Sequence, residues 1–118
     1  MSEQQTDLAL EELARAAKAL SDPTRLRMLT ALSQGRSRCG LPEPSGRGLA
    51  KQPQREEGVC VCEFQEQLGL SQSRVSYHLH VLRSAGLIDV HERGKWSFYF
   101  LRREGVEALR DHLGAWLA

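Results

Sequence analysis

Three cysteines are the residues whose type and spacing most readily suggest chemistry. Cys60 and Cys62 stand one residue apart in Val59-Cys60-Val61-Cys62, and Cys39 lies 21 positions upstream beside Arg36 and Arg38. The thiolate is the form of cysteine that binds soft ions, and it is favoured near cations and near helix N-termini. Cys62 precedes a short helical pattern, so both groups are primed to coordinate. A closed structural zinc site wants four ligands of the Cys₄, Cys₃His or Cys₂His₂ kind. Three sulfurs instead suit trivalent arsenic or antimony, As(III) or Sb(III), whose lone pair leaves three bonds in a pyramid. Cys39 can reach the pair within one chain, since loop closure costs grow slowly with length, or from the partner chain of a dimer. The plain alternative is a buried structural cysteine pair. No C-x-x-C redox pair and no acid/base constellation accompanies the thiols, so no enzyme is expected.

A second group of residues suits a polyanion. Formal charge totals only +1, but it is unevenly spread. Residues 1–20 hold Arg15 and Lys18 against Glu3, Asp7, Glu11 and Glu12. Residues 71–103 hold Arg74, Arg83, Arg93, Lys95, Arg102 and Arg103 against Asp89 and Glu92. Within that basic stretch, Gln72 can pair two atoms of adenine, and Arg74 can pair guanine or a phosphate. Ser73, Ser76 and Tyr77 can donate to phosphate oxygens, and His78 completes this early part of the helix. Arg93 and Lys95 flank Gly94 on a short turn from which two cations can reach a neighbouring groove or backbone. His78 and His80 are two apart and share no helical face, so they make a poor metal site, and His80 reads as a packed or partner-facing residue.

The elements that must position these groups follow from periodicity and turn chemistry. Apolar residues at helical spacing predict a first helix over 7–20 with Asp7 as its cap. Asp22-Pro23 opens a second helix that stops near Ser33. Residues 34–57 are rich in proline and glycine without periodicity and read as a long exposed, flexible loop. A β-prone Val-Cys-Val leads into a brief helix closed by Gly69, and Ser71 caps the next helix, which buries Val75, Leu79 and Leu82 and ends at Gly86. Alternation on both sides of Arg93-Gly94-Lys95 predicts a β-hairpin with Trp96, Phe98 and Phe100 on its core side. A last helix covers 104–117. The expected fold is thus mainly α with a β-hairpin (α+β), a winged helix-turn-helix in one domain over 1–118. No run spans a bilayer and the start lacks a secretory signal, so a cytoplasmic protein with no membrane partner is expected.

ALSDPTRLRMLTAL (residues 19–32), VCVCEFQEQLGLSQSRVSYHLHVLRSAGLI (59–88) and RGKWSFYFL (93–101) resemble the ArsR/SmtB family of metal-responsive winged-helix repressors, particularly its arsenic-responsive branch. The likeness covers residues 8–32 and 59–102. It implies a homodimeric repressor that binds double-stranded operator DNA and leaves it when As(III) or Sb(III) is held by cysteines, with no organic cofactor. It further implies that Cys60 and Cys62 are ligands, and that the first and last helices dimerise through Leu8, Leu13, Leu109, Leu113 and Trp116. Two departures stand out. The branch's third cysteine is replaced by Gln65, and residues 34–57 form an insertion that contains Cys39; we therefore expect Cys39 as the third ligand. Without it, a two-thiol site suits a monomethylated arsenical. Alternatives on the same fold are Cd(II), Pb(II) or thiol oxidation as the signal; a thiol or metalloid carrier without DNA is a third reading. Asp111-His112 lacks the spacing of the family's zinc site.

Overall fold

The computed structural model describes residues 3–34 and 58–118, with side chains from Ala9 onward. The expected loop beyond Gln34, Cys39 within it, and the Leu8 side chain lie outside the described residues. Helix α1 spans Glu3–Ala19 and α2 spans Pro23–Gln34. Asp7 is therefore inside α1 and not its cap, because the preceding glutamate and glutamines are good helix formers that carry the helix further back. Asp22 does cap α2, its Oδ1 accepting the Thr24 N–H at 2.7 Å, with Pro23 in the first helical position where no N–H is missed.

Strand β1 (Val59–Cys60) runs directly into helix α3 (Val61–Leu68). Gly69 ends α3 in the left-handed region at φ 67°, which a residue with a Cβ resists, and its N–H returns to the Gln65 carbonyl at 2.9 Å. Helix α4 (Gln72–Ser84) starts three residues later, with the Ser71 hydroxyl accepting the Arg74 N–H at 3.2 Å. Strands β2 (Ile88–Arg93) and β3 (Trp96–Leu101) form the hairpin, and α5 spans Arg103–Ala115. The two-residue hairpin loop has a positive φ only at Gly94 (62°), the sign pattern of a II′ turn.

The sheet has three strands in the order β1-β3-β2, all antiparallel, where the sequence predicts only a hairpin. Val59 faces Tyr99 and Cys60 faces Phe98, so the segment bearing the thiols is hydrogen-bonded to the wing. The core joins Ala16 and Ala19 of α1, Met28 and Leu32 of α2, Phe64 of α3 and Val75, Leu79 and Leu82 of α4, with Leu87 and Ile88 leading into β2. Phe64 is completely buried, and truncating such a ring costs about 3–5 kcal/mol, so this one side chain anchors α3. Alternation along β3 is as expected, but Tyr99 and Leu101 are the residues that pack on this core. Phe98 is the most buried residue of β3, at 5 % exposed, as expected, whereas Trp96 is 36 % exposed at the hairpin tip and so is not part of the wing core.

Candidate functional site

Helices α3 and α4 with the Gly69–Ser71 turn form a helix-turn-helix, and α4 divides sharply into two faces. Val75, His78, Leu79 and Leu82 point inward. Gln72, Ser73, Arg74, Ser76 and Tyr77 are exposed, so five of the six α4 residues expected at the reading surface are where a groove could reach them. His78 is the sixth and is corrected: it is only 9 % exposed, with Nδ1 3.0 Å from a guanidinium nitrogen of Arg25. His80 is exposed rather than packed, one turn beyond Ser76 and Tyr77, with its Nε2 3.5 Å from the Ser84 hydroxyl. Period 3.6 registers Ser76 and His80 as neighbours, which is the signal that locates this face.

At the wing tip Gly94 and Lys95 are exposed and Arg93 is half-buried. The Lys95 ammonium lies 5.7 Å from the centre of the Trp96 ring, a cation–π contact that keeps it at the tip. Arg83, in the last turn of α4, faces Asp89 at 3.6 Å. Both ions are about half exposed, so this pair is worth little in stability.

The thiols occupy the junction of these two DNA-sized features. Cys60 is 2 % exposed and is both the last residue of β1 and the N-cap residue of α3, with no hydrogen bond from its side chain to the cap; Cys62 sits in the first turn. Their Sγ atoms are 2.7 Å apart. Cys62 is disulfide-bonded in this structure, so it can act as a ligand only once reduced; two thiolates on one ion, with metal–sulfur bonds of roughly 2.3 Å, stand about 3.5–3.8 Å apart. Glu63 is buried next to them and accepts from Gln67 Nε2 at 3.2 Å. Among the described residues no three histidine, cysteine or carboxylate side chains gather into a metal site, so the pair there offers two ligands.

Of the residues expected at a subunit interface, Leu109 packs on the protomer's own core, and Leu13 lines with it a cleft of about 240 Å³ between α1 and α5. Leu113 and Trp116 are exposed at 43 % and 71 %. Leu10 and Leu117 extend the same kind of surface and are missed by the sequence reading. No helix among the described residues is long and apolar enough to cross a membrane.

Residues 54–90, which include β1, both helices of the helix-turn-helix and the start of β2, match the model of the bacterial regulatory protein arsR family. The chain is also 33 % identical over 109 residues to an arsenical resistance operon repressor of Bacillus subtilis, covering 92 % of this chain and 83 % of that one. The chain belongs to the ArsR family. A cadmium resistance transcriptional regulatory protein of Listeria innocua is 28 % identical over 85 residues, 72 % of this ArsR-family chain and 54 % of that protein. The fold matches a homodimeric winged helix-turn-helix DNA-binding domain from Mycobacterium bovis with a TM-score of 0.65 at 22 % identity, covering 98 % of this chain and 87 % of that one. The winged helix-turn-helix expected from the sequence is thus the fold observed.

Proposed function

We propose that this ArsR-family chain is a homodimeric transcriptional repressor that binds operator DNA and is released when As(III) or Sb(III) is captured by Cys60 and Cys62, with Cys39 as third ligand. The observation that carries the reading is the double role of Cys60, paired with Phe98 in the wing ladder and capping α3, the helix that supports α4. Closing the thiols on an ion fixes the start of α3 and the end of β1 together, and so acts on the reading helix and the wing at once. Gln72, Ser73, Arg74, Ser76 and Tyr77 read bases and phosphates, and Lys95 and Arg93 hold the backbone from the wing. Two reading helices about one DNA turn apart call for an inverted-repeat operator. The apolar residues left exposed on α1, in the last turn of α5 and just beyond it, Leu10, Leu113, Trp116 and Leu117, are covered by the second subunit. The name of the Bacillus subtilis relative, an arsenical resistance operon repressor, supports arsenic as the signal.

Cd(II) is the second reading, favoured by the cadmium-regulator relative and by the two-thiol set of the described residues. The test is titration of the protein bound to a duplex from directly upstream of its own coding region with As(III), Cd(II), Zn(II) and peroxide in parallel. As(III) is expected to release DNA at the lowest concentration, and Cys62→Ser to abolish that release while DNA affinity stays. Cys39→Ser is expected to weaken the As(III) response; an unchanged response removes Cys39 from the site. Release by Cd(II) or Zn(II) but not As(III) refutes the arsenic reading.

A further inference from the structure

Arg25 is a charged residue with only 8 % of its surface exposed, in the first turn of α2, and each arm of its guanidinium ends on a neighbouring element. Nε donates to the Ala19 carbonyl at 2.7 Å and Nη2 to the Lys18 carbonyl at 3.5 Å, at the C-terminal end of α1, where the Lys18 carbonyl also accepts from the Ser21 N–H and hydroxyl. Nη1 lies 3.0 Å from His78 Nδ1 and 3.8 Å from Asp22 Oδ2. His78 is on the buried face of α4, between Val75 and Leu82. A guanidinium has donors only and stays charged, so Nδ1 must offer a lone pair and the ring proton is assigned to Nε2.

We propose that Arg25 is a positioning residue for the DNA-reading helix: through the neutral ring of His78 it locks α4 onto the end of α1, and protonation of His78 releases that lock and weakens DNA binding. The proposal rests on the reading of α4 as the DNA-facing helix. A second ring proton has to go to Nδ1, where it meets a donor of a permanent cation at hydrogen-bond distance. Two donors and two positive charges then face each other in a buried space, and the ring must leave it.

The charged groups facing His78 are Asp22 and Arg25 from the α2 side and Arg74 from its own helix, with the Tyr77 ring edge-on at 5.4 Å. Among the described residues, no group of α3 or β2 contributes to its titration. Burial leads in holding His78 below the usual imidazole value of 6.5, Asp22 opposes it, and Arg25 and Arg74 add to it. Because the folded value is the lower one, the contact's contribution is complete above pH 6.5 and is lost as pH falls from there through the lowered folded value.

The test compares wild type, His78→Asn and Arg25→Lys in fluorescence anisotropy with the duplex from directly upstream of the coding region, at pH 7.5 and pH 5.5. An asparagine oxygen can accept from Arg25 without titrating, so His78→Asn is expected to bind within about threefold of wild type at pH 7.5. At pH 5.5 wild type is expected to have lost up to about tenfold per protomer relative to His78→Asn, one pH unit below the ordinary value. His80, His91 and His112 are common to both proteins, so the ratio isolates position 78. Arg25→Lys, charged but without the fork, is expected to weaken binding at pH 7.5 with the far-UV circular dichroism unchanged. A ratio of wild type to His78→Asn that does not move with pH overturns the proposal. So does a ring nitrogen spectrum showing Nδ1 protonated at pH 7.5. If wild type binds no duplex at pH 7.5 even in low salt, the DNA assignment of α4 falls first and takes the lock with it.

Discussion

Replacing Lys95 by glutamine removes one cation from the exposed tip of the wing, with a polar side chain only one bond shorter, and leaves the turn geometry, since only Gly94 holds a positive φ there. Each phosphate neutralised by a protein cation releases about 0.9 counterion, so the slope of log K against log salt changes by ~0.9 per contact. A dimer presents Lys95 twice, and the substitution is expected to lower the slope by about 1.8. At 0.1 M salt that release is worth roughly 1.2 kcal/mol per contact, or about 60-fold in affinity for two. The ammonium sits 5.7 Å from the Trp96 ring, however, and leaving an exposed ring for a phosphate gives back about 0.5–1 kcal/mol per protomer. The net loss therefore lies between about twofold, if the cation quits the ring, and about 60-fold, if it bridges ring and phosphate. The salt slope is the same in either case and is the better readout. Anisotropy titrations from 50 to 200 mM salt measure it, with Arg110→Gln, an exposed residue of α5 outside the helix-turn-helix and the wing, as an equal-charge control. Parallel slopes for wild type and Lys95→Gln refute the placing of Lys95 on phosphate, as does an equal fall for Arg110→Gln.

Two further outcomes follow from local geometry. Ser71→Ala removes the hydroxyl that accepts the Arg74 N–H at an exposed position, so no cavity adds to the loss; about 1 kcal/mol in urea unfolding is expected, with Ser71→Asp retaining most of it. An unfolding midpoint equal to wild type shows that water replaces the cap without cost. Leu113→Asp combined with Trp116→Ser places a charge in, and removes a ring from, the apolar surface assigned to the second subunit, and sedimentation should show the 13.3 kDa chain where wild type shows twice that mass. An unchanged mass moves the interface elsewhere.

What the sequence made legible is what depends on neighbours in the chain. Ser71 before a helical run, Gly69 after one and Gly94 between two alternating segments state their roles by local stereochemistry, and each has that role. His78 was legible in part, since it stands at i+3 from Val75 on the stripe that Leu79 and Leu82 continue; what no period reports is its partner Arg25, 53 positions away. Phe98 and Tyr99 illustrate the same limit within a strand: alternation separates two faces, but the face that meets the core depends on register against β1 and β2. β1 itself has two residues, too few for any period, and it is recognised as a strand only through its partner β3. The thiol pair was visible as chemistry; its attachment to the wing was not.

That attachment bears on how much the inducer must discriminate. Driving a repressor from 99 % DNA-competent to 1 % requires the ligand to bind the incompetent state ~10⁴-fold, or about 5.5 kcal/mol, more tightly. Shared by two sites in a dimer, this is roughly 100-fold per thiol pair. A pair seated in a rigid core would bind both states alike and shift nothing, however tight the sulfur bonds. Cys60 and Cys62 are instead on a two-residue strand paired with the wing strand β3 and in the first turn of the eight-residue helix that precedes α4. In the proposed mechanism an ion held by both sulfurs would tie the end of β1 to the first turn of α3, and a difference in how well the two states accept that tie is what the ligand must read.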